Sequence, residues 1–139
     1  MELFILIISA EEFVRLRESE TQSEYLRAAW EKATLEVWVE VVEKYPDMRF
    51  WVAQNKTIPY EIMEILSDDQ SERVRGMIAS KNRLPEHLQM KMAKDLDSSV
   101  RERIAYNKKT SAVVLQLLLH DEDESIREKA RNRLTSLCA

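Results

Sequence analysis

Apolar residues in this chain return with a fixed beat. An apolar residue followed by arginine occurs at Met48-Arg49, Val74-Arg75, Val100-Arg101 and Ile126-Arg127, and each step is 26 residues. The same spacing links Val52, Ile78 and Ile104; Ala53, Ala79 and Ala105; Ile62, Leu88 and Val114; and Leu66, Met92 and Leu118. Self-similarity at a period of this size marks tandem structural repeats, each a small supersecondary unit that buries its apolar face on its neighbours.

Within one step, Val74, Met77 and Ile78 fall at i, i+3 and i+4, which predicts a helix from about Glu72 to Lys81 with one apolar face. Asn82 follows, and Asn55 and Asn107 sit at or within one residue of the equivalent place. Asparagine tolerates the left-handed conformation that ends helices, so these positions read as stops. Pro59 and Pro85 then open a second helix, where a missing N–H costs nothing. In the next step Ser111 stands in the proline's place and Thr110 is the expected cap. The second helices are expected to bury Ile62, Ile65 and Leu66, then Leu88 and Met92, then Val114, Leu117 and Leu118. Ser99 with Glu102, and Ser125 with Glu128, match the capping box that starts a helix.

Ahead of the periodic part, Leu3 to Ile8 form an apolar arm expected to pack on the first helices. Ser9 with Glu12 and Thr21 with Glu24 are further capping boxes. The helices behind them carry Phe13, Val14 and Leu16, and Tyr25, Leu26, Ala29 and Trp30, as their inward faces. A third helix, about Thr34 to Lys44, presents Val37, Trp38, Val41 and Val42. Phe50 and Trp51 join Trp30 and Trp38 in an expected aromatic cluster. The organisation that follows is one domain, 1–139, with a helical cap over 1–46 and repeats over 47–134. In the last helix, Ser125 to Leu137, Arg131 replaces the expected inward alanine, as a solvated end should.

Asp69, Asp95 and Asp121 each stand six residues before an arginine of the series, Arg75, Arg101 or Arg127. A carboxylate and a guanidinium at a repeated separation point to bidentate pairs running between neighbouring steps. A row of phosphate-binding arginines, with Arg49 at its head, is the other reading. The structural ladder is preferred because nearly every arginine has a matching acid, and buried charges persist only when paired.

The pattern Val-Arg-x-x-Ile-Ala-x-x-x-x-x-Pro-x-x-Leu, closing on an Asp five residues before the next Val-Arg, resembles the variant leucine-rich repeat. It is also similar to the wider HEAT and armadillo class. The resemblance covers residues 47 to 134 and implies an all-α, right-handed α-solenoid of tandem two-helix repeats, with an internal Asp–Arg hydrogen-bond ladder. Some members of the variant family carry a cysteine-bound iron–sulfur cluster, and a single cysteine, Cys138, leaves no means to hold one.

Composition narrows the function. One glycine, Gly76, excludes a Gly-rich phosphate loop. No His-x-x-x-His or Glu-x-x-His spacing occurs, His87 and His120 lack a partner at ligand spacing, and no Ser/His/Asp or Cys/His set is suggested. No catalytic activity, cofactor or metal is expected. The lone cysteine fits a reducing compartment, and the six-residue apolar run is too short to span a bilayer, so the expectation is a cytoplasmic protein.

Charge is divided along the chain. Residues 1–72 hold sixteen acids and seven bases; residues 73–109 hold ten bases and four acids. Glu36, Glu40 and Glu43 line one helix face, and Glu61, Glu64 and Asp68 line another. A solvated face and a docking surface for a basic protein are both open on this pattern. Small acidic helical-repeat proteins are also similar to immunity proteins of bacterial toxin systems, which implies a partner such as a basic nuclease. The alternative is a HEAT-like nucleic-acid binder or DNA-lesion glycosylase that uses Arg73, Lys81, Arg83, Lys108 and Lys109.

Overall fold

The computed structural model describes residues 6–138, and within them the protein is all-α. Ten α-helices follow one another: α1 (Ala10–Glu18), α2 (Gln22–Trp30), α3 (Leu35–Lys44), α4 (Arg49–Gln54), α5 (Tyr60–Leu66), α6 (Glu72–Ala79), α7 (Glu86–Met92), α8 (Ser98–Tyr106), α9 (Ala112–Leu118) and α10 (Glu124–Leu137). A 3₁₀ turn, Pro46–Met48, leads into α4. Leu3, Phe4 and Ile5 of the expected apolar arm lie outside the described residues. Of the rest, Ile7 is buried and donates its N–H to the Lys32 carbonyl at 2.9 Å, beside an isolated parallel bridge between Leu6 and Lys32.

The chain divides into two compact units, Met1–Leu66 and Ser67–Ala139. In the first, α1 packs on α2 and α3, and α3 packs on α4 and α5. Phe13 and Trp38 are fully buried and meet edge to face, centroids 5.3 Å apart at 78°. The aromatic cluster is smaller than expected. Phe50 and Trp51 pair with each other, while Trp30 is 62% exposed beside Lys56. On α2 only Ala28 is buried, and Leu26 is left largely in solvent, so the inward face expected there is not formed. Helix α2 meets α1 and α4 with Ala28 buried and Tyr25 and Ala29 half-buried, and leaves Leu26 and Trp30 exposed.

In the second unit α8 packs on α6, α7 and α10, and α9 packs on α7 and α10. Helices α6, α8 and α10 begin at Glu72, Ser98 and Glu124, and α7 and α9 begin at Glu86 and Ala112. The core here is aliphatic: Val74, Ile78, Leu88, Met92, Val100, Ile104, Val114, Leu115, Leu118 and Ile126.

Several local expectations are corrected. The second helices bury Ile62, Met63 and Leu66, and Val114, Leu115 and Leu118, so Ile65 faces solvent and Leu117 is half-buried. In seven-residue helices the inward stripe runs i, i+1, i+4, and at 100° per residue Ile65 lies off it. The equivalent inward place on α7 is taken by Gln89, whose amide donates to the Leu84 and Lys109 carbonyls at 3.0 and 3.1 Å and whose oxygen accepts from the Ser111 N–H.

Helix stops and starts also differ. Asn55 and Asn107 have φ of −58° and −66°, not left-handed, and no described non-glycine residue has positive φ. The caps of α8 and α10 are Asp97 and Asp123, ahead of the serines expected to cap them. A carboxylate two residues upstream takes both the Ser99 N–H and its hydroxyl, which leaves the serine one place inside the helix. The Thr21 side chain makes no capping hydrogen bond: the Glu24 N–H donates to the Thr21 carbonyl, and the Glu24 carboxylate turns to Arg15 and Ser19. Ser111 caps α9, while Thr110 donates to the Ile104 carbonyl.

Candidate docking surfaces

Helix α3 buries Trp38, Val41 and Val42, and the positions opposite on the helical wheel are Glu36, Glu40 and Glu43. Helix α5, packed on α3, buries Ile62, Met63 and Leu66 and carries Glu61 and Glu64 on its exposed side. Burial of one stripe thus puts the acids of both helices in water. Glu40 pairs with Lys44 at 2.7 Å, which raises the lysine's pKa. Glu36, Glu43 and Glu61 have no cation partner among the described residues. Asp68, expected in the same row, belongs to the second unit, where it pairs with Lys91 at 2.8 Å.

The arginine series forms a network in the second unit. Arg75 donates from Nε at 2.8 Å and from Nη2 at 3.2 Å to the two carboxylate oxygens of Asp95. Its Nη1 reaches the backbone carbonyls of Asp69 and Gln70. Arg101 repeats this with Asp121 at 2.8 and 3.4 Å and with the carbonyls of Asp95 and Leu96. Arg127 Nη1 donates to the Asp121 carbonyl at 2.7 Å. Arg75 and Arg101 therefore each take the carboxylate twenty residues downstream, and all three arginines take the carbonyl of the aspartate six residues upstream.

Each aspartate closes its own turn as well. Asp69, Asp95 and Asp121 accept the backbone N–H two residues on, from Ser71, Asp97 and Asp123. Arg101 is 7% exposed, so this guanidinium is not displayed to a phosphate. The carboxylates hold Arg75 and Arg101 above the ordinary arginine pKa, chiefly through the hydrogen bonds themselves. Arg49, in the first unit, donates from Nε to the Val42 carbonyl at 2.8 Å.

A second network was not anticipated. Asn107 Nδ2 donates to the carbonyls of Ala79 and Lys81 at 2.7 and 2.9 Å, and Arg133 Nη1 donates to those of Ala105 and Asn107 at 2.7 and 2.8 Å. In the first unit Asn55 Nδ2 does the same for Ala28 and Glu31. These donors satisfy carbonyls at the end of an earlier helix, which have no partner within it. The signal was present in the sequence: Asn107 and Arg133 share the 26-residue step, but amide and guanidinium are unlike as residues.

Of the bases singled out, Arg73, Arg83, Lys108 and Lys109 are exposed and Lys81 is half-buried. A cleft of about 270 Å³ lies at the end of α8, lined by Ser80, Asn82, Arg103, Tyr106, Asn107 and Lys108. Lys108 is thus brought to Arg103, another base of the same segment, and to Tyr106, which the sequence reading did not combine with them. No group of three or more His, Cys, Asp or Glu that could hold a metal occurs among the described residues, and no described helix is long and apolar enough to cross a membrane.

Compared with protein-family models, curated proteins and solved structures, the chain finds no match.

Proposed function

We propose that this protein is a non-catalytic, protein-binding helical-repeat scaffold whose acidic face on α3 and α5 docks a basic partner. Its most concrete form is an immunity-type protein that covers and neutralises a basic toxin such as a nuclease. The architecture proposed is a right-handed solenoid of two-helix modules, 26 residues each. Support for the modules comes from the helix starts at Glu72, Ser98 and Glu124, and from Arg75–Asp95 and Arg101–Asp121 pairs of the same geometry. The exposed lone Cys138 fits a cytoplasmic setting.

One observation carries the functional reading. Glu36, Glu43 and Glu61 are exposed on two packed helices, opposite the buried stripes, with no cation beside them among the described residues. Like charges along a helix face destabilise it by a few tenths of a kcal/mol, about 0.2–0.5 per close pair. A basic partner turns that penalty into attraction and accelerates encounter.

The test is co-expression with the product of the adjacent gene, followed by association kinetics across a salt series. The triple variant Glu36→Lys, Glu43→Lys, Glu61→Lys keeps the buried stripes and should fold normally by circular dichroism. It is expected to lower the association rate at least tenfold at low salt and to flatten its salt dependence. Unchanged association would remove the acidic face as the docking surface.

A further inference from the structure

Seven of the ten bases of residues 73–109 fall into two groups. Arg75 and Arg101 are tied to Asp95 and Asp121, and Lys91 to Asp68. Lys94, Arg103, Lys108 and Lys109 have no carboxylate partner among the described residues. Two of the four acids in the segment are already engaged, Asp95 with Arg75 and Asp97 as the α8 cap. The local excess of positive charge is therefore at the surface, not in the core.

Part of that excess converges on the cleft at the end of α8. Arg103 Nη1 donates to the Ser80 hydroxyl, a neutral acceptor, at 3.2 Å. Tyr106, the unit's single aromatic residue, is 57% exposed and lines the same cleft with Asn82 and Lys108. Lys129, from α10, places its ammonium 4.4 Å from the Tyr106 ring centroid. Arg103 and Lys129 stand 26 residues apart, at matching places on α8 and α10. Lys129 borders the cleft through Tyr106 without lining it, and the exposed acids of these helices, Glu102 and Glu128, are not part of the lining.

We infer that this cleft binds single-stranded nucleic acid. Arg103, Lys108 and Lys129 take backbone phosphates, the Asn82 amide adds a neutral donor, and an unpaired base stacks on Tyr106. The Ser80 hydroxyl, which donates to the Gly76 carbonyl, holds Arg103 in place. Phosphate contacts of this kind come from Arg, Lys and Asn side chains, and they hold a strand without reading its sequence. Stacking on an aromatic ring is what separates a single strand from a duplex, whose bases are already covered. The inference uses none of the residues of the acidic face and stands or falls apart from it.

Fluorescence anisotropy with a labelled twelve-nucleotide single strand, and with the same sequence as a duplex, tests this across a salt series. The single strand is expected to bind more tightly, with a log–log salt slope near −2 for about three phosphates at roughly 0.7 each. Replacing Arg103, Lys108 and Lys129 by Gln should bring the slope close to zero. Tyr106→Ala should weaken binding about tenfold at unchanged slope, and Tyr106→Trp should restore or strengthen it. Three results would each overturn the inference: no binding at about 20 mM salt, duplex bound as tightly as single strand, or full competition by polyglutamate at equal charge, which would mark an acidic-polypeptide site.

Discussion

The two units solve the same packing problem with different materials. Nine of the ten aromatic residues lie in Met1–Leu66, and the edge-to-face pair of Phe13 and Trp38 sits at its centre. Ser67–Ala139 has only the exposed Tyr106, and its interior is aliphatic. Large rings fill much space, but they demand particular neighbours. The buried Trp38 indole N–H has no acceptor among the described residues, a cost of about 1–3 kcal/mol that ring burial must exceed. Small aliphatics make few demands on their neighbours, and the helices of the second unit are tied together by polar side chains as well. Arg75, Arg101, Asn107 and Arg133 do this by reaching from one turn to the next. Aromatic packing fixes a singular arrangement; a polar ladder fixes a repeatable one.

The sharpest way to break this contrast is at Arg101, the most buried of the ladder arginines. Arg101→Met leaves the Asp121 carboxylate, at 5% side-chain exposure, without its partner. The expected loss is about 3–5 kcal/mol in urea denaturation. Adding Asp121→Leu should recover a large part of it, because two apolar side chains can replace a buried pair. If the single variant cost less than about 1 kcal/mol, the ladder would be ornament and the aliphatic core alone would hold the unit.

Asn107→Ala comes next. It strips donors from two carbonyls, Ala79 and Lys81, and an acceptor from the Lys109 N–H. The expected cost is about 2–3 kcal/mol by the same measurement. The matching test of the first unit is Phe13→Leu, which removes the edge-to-face contact but keeps most of the volume. About 1–2 kcal/mol is expected. A larger loss at Phe13 than at Arg101 would reverse the comparison.

The repeat was legible because it returns every 26 residues, and so was the company of aspartate and arginine, since both types recur without substitution. Which aspartate meets which arginine was not, because spacing along the chain does not say whether side chain or carbonyl faces the guanidinium. Arg101 touches both kinds of group, the Asp121 carboxylate and the Asp95 carbonyl. Inward positions on seven-residue helices were equally hidden. One turn offers apolar residues at both Met63 and Ile65, and the copy with Gln89 conceals which is buried. The exposed face of α2 misled for another reason. Tyr25, Leu26, Ala29 and Trp30 have inward spacing, yet the helix rests on α1 and α4 through Ala28. Of the acidic row, exposure was legible, but the pairing of Asp68 with Lys91 across twenty-three residues was not.

The smallest expected effect concerns the repeated caps. Asp97 and Asp123 each accept from the serine two residues on, and the serine hydroxyl is the first cause that lowers their pKa below the usual aspartate value of 3.8. A carboxyl whose folded pKa is depressed adds stability that is complete above its unfolded pKa and vanishes as pH falls through the folded one. These caps should therefore act fully at neutral pH and lose their contribution only below about pH 3.8. The double variant Asp97→Ala, Asp123→Ala should melt below wild type at pH 7, and the gap should close as both are titrated toward pH 2. A gap that persists unchanged at pH 2 would mean the aspartates act through packing, not as charged caps. Because both lie in Ser67–Ala139, a closing gap would also show that the polar devices of that unit, and not the ring-filled core of the other, carry this part of its acid sensitivity.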